Sequence, residues 1–117
     1  MRFLKLSLAS LAFAIASPAA AQMTAGELHG FLRIEDQQAR EIAFGTLNQI
    51  ALGISSANMV NEIKGMERLF CPPEELAITA DQYQSIFLGY LEGRADAEKQ
   101  PASLVMVVAL IDAFPCE

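Results

Sequence analysis

Beyond residue 24 the apolar positions recur at steps of three and four, which predicts helices rather than strands. Leu28, Phe31, Leu32 and Ile34 share one face of a short first helix, and Thr24 with Glu27 has the capping-box spacing at its start. The polar segment 33–38 turns the chain, with Asp36 placed to cap the next helix. Ala39, Ile42, Ala43, Leu47, Ile50, Ala51 and Ile54 then define a second amphipathic helix over about residues 37–54; Gly45 and Gly53 weaken it, Gly53 near its end. Ser55-Ser56-Ala57-Asn58 reads as a break. Over 59–70 the pattern is weakest: Met59, Val60, Ile63 and Met66 share a face of a short helix, against which Gly65 counts. Pro72-Pro73 then forbids helix and extends or turns the chain.

The second half of the chain is patterned more strongly. Thr79 and Gln82 form another capping box, with Ile78 in front as a staple residue. Tyr83, Ile86, Phe87, Tyr90 and Leu91 follow at i, i+3, i+4, i+7 and i+8, and Gly93 closes that helix. Pro101 suits the first position of the next helix, because its missing N–H would have no partner there. Residues 104–111 (Leu-Val-Met-Val-Val-Ala-Leu-Ile) are apolar all round. Their β-branched members admit a buried strand, but no other segment offers a strand to pair with it, so a fully buried helix is expected. Tyr83, Ile86, Phe87 and Leu91 should pack against Leu104, Val107, Val108 and Ile111. The fold class is all-α: a small bundle of four or five helices around a central C-terminal helix.

The N-terminus sets the compartment. Arg2 and Lys5 precede an apolar run, residues 6–15, interrupted only by Ser7 and Ser10, and Ala19-x-Ala21 before Gln22 has the small-residue form of a cleavage site. Residues 1–21 therefore read as a secretory signal peptide. The run is shorter than the roughly 20 residues that span a bilayer, and no cysteine stands at the cleavage site to carry a lipid. Localisation is expected to be periplasmic, with no membrane anchor after cleavage. Removing 21 of the 117 residues leaves 96, one small domain, residues 22–117. The eight basic residues lose Arg2 and Lys5, leaving six against 14 acidic ones, a formal charge of −8. That balance disfavours nucleic acid and anionic membrane surfaces and suits a basic protein partner.

An exported domain of this size gains from a covalent tie, and the chain has two cysteines, Cys71 and Cys116. In an oxidising compartment an even pair reads as a disulfide, with free thiols or pairing between molecules as the alternatives. For a loop this long the chain-entropy contribution is about 4 kcal/mol. Catalytic chemistry finds little to build on. His29 is the single histidine, and a nucleophilic Cys–His pair would need one of the cysteines free. One histidine and two bridged cysteines do not make a zinc site. Glu74/Glu75 and Glu35/Asp36 are neighbours on polar turns, and no Gly-rich loop follows a strand. No cofactor and no enzymatic activity are expected.

Leu69-Phe70-Cys71-Pro72, Thr79-x-x-Gln82, Tyr90-Leu91, Pro101-Ala102, Leu104-Val105, Ala109-Leu110 and Ala113-Phe114-Pro115-Cys116 together resemble the Rap/Tai immunity proteins of type VI secretion systems. Ala43-Phe44-Gly45 through Gly53-Ile54 is similar to an earlier helix of that family, so the resemblance covers most of the mature chain. The family commonly carries a second cysteine pair between its first two helices. Here Ala43 stands at one such position, Thr46 replaces the usual tyrosine, and no cysteine lies near Gly30 or Phe31. Both partners are lost together, leaving no orphan thiol and one staple fewer in the N-terminal half.

The resemblance implies a periplasmic, all-helical and often dimeric protein that binds a secreted peptidoglycan amidase and blocks its cleft. The alternative is a small periplasmic acid-stress chaperone, or another non-catalytic helical binding module. Low pH separates the first two: a toxin binder stays folded, whereas the chaperone partly unfolds and gains clients. An inhibitor without catalytic groups acts by occlusion, so its contacts should come from the connectors 73–78 and 93–100. The candidate partner-binding residues are Glu74, Glu75, Arg94, Asp96 and Glu98. Dimer contacts would use the exposed apolar side of the second helix.

Overall fold

A computed structural model describes residues 22–117; the expected signal peptide lies outside them. Four helices make up the domain: α1 (Ala25–Leu32), α2 (Gln37–Ile63), α3 (Ala80–Leu91) and α4 (Ala102–Ala113), with a single 3-10 turn at Ala97–Lys99. No strand occurs among the described residues, only an isolated antiparallel bridge between Thr24 and Pro101. The all-α expectation holds. α4 packs on each of the other three helices, and so does the longer α2, so the C-terminal helix shares the centre rather than holding it alone.

The helix starts are where their capping residues place them. Thr24 Oγ1 accepts from the Glu27 backbone N–H at 3.1 Å, and Asp36 Oδ1 accepts from Ala39 N–H at 3.2 Å. Thr79 and Gln82 close a reciprocal box, with bonds of 2.8 and 3.2 Å. Each satisfies N–H groups that a helix start leaves without partners. Pro101 stands one residue earlier than expected, at the N-cap of α4, where its extended backbone joins the bridge to Thr24.

The expected break at residues 55–58 is absent: α2 runs through it to Ile63. The polar side chains that suggested a break are satisfied across the fold instead. Ser55 Oγ hydrogen-bonds Tyr83 Oη at 2.7 Å. Asn58, the one buried polar residue among those described, donates from Nδ2 to Phe70 O at 2.8 Å. Its Oδ1 accepts from the backbone N–H of Leu69 at 2.7 Å and of Phe70 at 3.4 Å. Gly65, which counted against helix in the sequence, is its stop signal. At φ +70° it lets Gly65 N–H reach Glu62 O and Met66 N–H reach Asn61 O, the double bond of a Schellman ending. Gly93 ends α3 in the same left-handed conformation, at φ +71°.

The core joins Leu28 and Leu32 of α1 to Ala43, Leu47 and Ala51 of α2. Phe70, from the segment before α3, adds to Tyr83, Phe87 and Leu91 of α3 and to Ala102, Val105, Met106 and Leu110 of α4. The expected α3–α4 packing is thus half right. Tyr83, Phe87 and Leu91 are buried and Ile86 packs beside them, but α4 turns Val105, Met106, Ala109 and Leu110 inward. Leu104, Val108 and Ile111 face outward, and Val107 is half-buried. An all-apolar helix has no hydrophobic phase from which its buried side can be read, and this one is uncovered along one edge.

Cys71 and Cys116 are disulfide-bonded, their Cα atoms 5.0 Å apart. The bridge clamps the end of the chain to the segment leading into α3, and Cys71 N–H donates to Phe114 O at 2.8 Å beside it.

Candidate partner-binding site

The two connectors flank α3. Twelve helical residues at 1.5 Å each separate them by about 18 Å, so the five candidate residues form two surfaces rather than one. Each connector borders its own groove.

At the start of α3, a turn closed by Leu76 N–H to Pro73 O at 2.9 Å carries Glu74 and Glu75 outward. Glu74 borders a groove of about 410 Å³ with Glu62 and Arg68, over a floor of Phe70, Asn58 and Tyr83. Asn58 shapes this site: by binding the backbone of Leu69 and Phe70 it fixes the irregular entry to Cys71 against α2. Glu75 is exposed and does not line the groove.

At the end of α3, the second connector is more ordered than a solvated loop. Ala25 N–H donates to Gln100 O at 2.8 Å and Ala102 N–H to Met23 O at 2.9 Å, so the N-terminal segment clips both ends of the α4 entry. His29 Nδ1 lies 3.1 Å from Glu98 Oε1, a side-chain hydrogen bond between α1 and the 3-10 turn. Gly26 lets the 3-10 turn come this close: a Cβ there would stand 3.0 Å from the Glu98 carbonyl oxygen. Glu98 is therefore turned toward α1, whereas Arg94 and Asp96 border a groove of about 610 Å³ with Tyr90, Gln100, Leu104 and Val108. The Arg94 guanidinium lies 4.3 Å from the centroid of the Tyr90 ring, and its Nη1 donates to Tyr90 O at 2.7 Å.

Tyr90, Leu104 and Val108 carry this surface as much as the charges do, and only the charges were expected in it. The i, i+4 spacing of Tyr90 and Arg94 was the available signal. The outward side of Leu104 and Val108 had none.

A family model of the Rap1a immunity proteins matches residues 24–116. The chain belongs to this family. The match takes in all four helices, both connectors and both cysteines, and agrees with the motif set read from the sequence. No curated protein and no solved structure matches the chain. Rap1a immunity proteins are generally non-catalytic, and membership implies a cognate toxin as binding partner.

Proposed function

We propose that this protein is a periplasmic immunity protein that binds a peptidoglycan amidase delivered by type VI secretion and occludes its cleft. The family match over 24–116 carries the reading. The Rap/Tai motifs between Phe70 and Cys116 point to the amidase, and the signal-like N-terminus with its disulfide points to the oxidising periplasm. The toxin-facing residues are drawn from Glu74, Glu75, Arg94, Asp96 and Glu98, held on a scaffold that the disulfide and the N-terminal clip make rigid. Rigid presentation lowers the ordering cost of binding.

A second copy is the further partner, and α2 is the face for it. Residues 42–61 contain no charged side chain. Ile42, Leu52, Met59 and Ile63 lie exposed along one heptad seam, with Gly45 and Ser56 as small members between them. An uncharged seam of this kind is self-compatible, as a twofold contact requires.

The test is protection of a cell. Export of a type VI peptidoglycan amidase toxin into the periplasm should lyse the host, and co-export of this protein should prevent lysis. A version lacking residues 2–21 should accumulate without protecting. Lysis that continues in the presence of folded, exported protein would overturn the reading.

A further inference from the structure

α4 raises a question that occlusion alone leaves open. A helix that is apolar on every side belongs in a fully covered position, yet Leu104 is 48% exposed, Val108 36% and Ile111 38%. At i, i+4 and i+7 they form one stripe along the outer edge. The stripe runs into the groove at the end of α3, whose floor is the buried Val105 and whose rim carries Arg94 and Asp96. An apolar centre inside a polar rim is the anatomy of a protein-binding hot spot, and Tyr and Arg are the residues enriched there.

Arg94 indicates what enters. Stacking on Tyr90 and the bond to Tyr90 O hold its long side chain in one place, which removes much of the entropy cost of using it. That single bond uses one of five guanidinium N–H donors. Asp96 borders the same groove but forms no ion pair with Arg94. The remaining donors match a carboxylate, which a guanidinium can grip with two parallel bonds.

Resting on the immunity function proposed above, we propose that this groove receives an element protruding from the toxin: an apolar side chain seated on Leu104, Val108 and Tyr90, next to an aspartate or glutamate bound by Arg94. The toxin then grips the immunity protein as well as being capped by it. A second copy does not suit this place. The face proposed for a second copy is the uncharged seam of α2, on a different helix. An anionic lipid surface does not suit it either, because the mature chain is strongly acidic.

The experiment uses the exported protein, its Leu104→Ser/Val108→Ser and Arg94→Gln variants, and the peptidoglycan amidase against which it protects cells. All three substituted positions are exposed. Circular dichroism should therefore show folded helices, and light scattering the same mass as the wild type. Each variant should bind the amidase about 30-fold or more weakly, the range of a hot-spot residue. Arg94→Lys keeps the charge without the planar fork and should restore only part of the affinity. Wild-type affinity in folded variants would overturn the groove proposal and leave the immunity reading intact. A halved mass in the Leu104→Ser/Val108→Ser variant would make the stripe a self-contact, also overturning it. A wild type that does not bind the amidase would remove both. Should one variant fail to fold, the other carries the same test.

Discussion

The two ends of the described chain are fastened by different means. At the C-terminus a covalent bond joins Cys116 to Cys71 across a sequence separation of 45, with the Cys71–Phe114 backbone bond and the Asn58 contacts behind it. At the N-terminus residues 23–29 hold the α4 entry by the two backbone hydrogen bonds that form the Thr24–Pro101 bridge and by the His29–Glu98 contact. The first fastening acts largely by restricting the unfolded chain. The second acts only in the folded state, through bonds worth about 1 kcal/mol each, and it can open locally while the rest stays folded. Each fastening steadies one of the two grooves, so disturbing one end should be felt mainly at its own groove.

The largest effect is expected from removing the covalent tie. Cys71→Ser with Cys116→Ser should lower unfolding free energy by up to about 4 kcal/mol in denaturant titration. Equal stability of the reduced and oxidised proteins would show that the staple contributes nothing. Asn58→Ala comes next. It strips partners from Phe70 O and from the Leu69 and Phe70 N–H groups, at about 1–3 kcal/mol. Hydrogen exchange should then quicken at residues 69–71 and not at 97–100. Gly26→Ala should cost about 1–3 kcal/mol by pressing a methyl group on the Glu98 backbone, and quicken exchange at 97–100 instead. If either variant loosened both connectors equally, the two fastenings would not be independent.

The smallest structural effect belongs to Glu74→Lys/Glu75→Lys. Both residues are exposed on a turn, so stability should stay within about 0.5 kcal/mol. Association with a basic toxin surface should slow, and added salt should weaken wild-type binding more than that of the variant. Unchanged association rates would leave that turn outside the interface.

How much could be read from the sequence depends on how far each interaction reaches. Thr24, Asp36, Thr79 and Gln82 cap helices through bonds three residues long, and all are visible in local spacing. The cysteine pair is distant in sequence, but compartment chemistry makes it legible. Ser55 and Asn58 misled because their partners, Tyr83 and Phe70, lie 28 and 12 residues away. Without those partners the two side chains look like helix breakers. In the site, the charged connector residues were visible as exposed polar positions. The groove between Tyr90, Arg94 and α4 was not, since its shape depends on which side of an all-apolar helix turns outward.

The central claim is that this member of the Rap1a family silences a secreted amidase by direct occupation. Titrating the oxidised protein into that amidase, with release of peptidoglycan peptides as the readout, tests it most directly. Activity should fall linearly to zero at one chain per toxin, and excess substrate should not restore it once the complex has formed. Undiminished cleavage at a large molar excess of folded, disulfide-bonded protein would contradict the account.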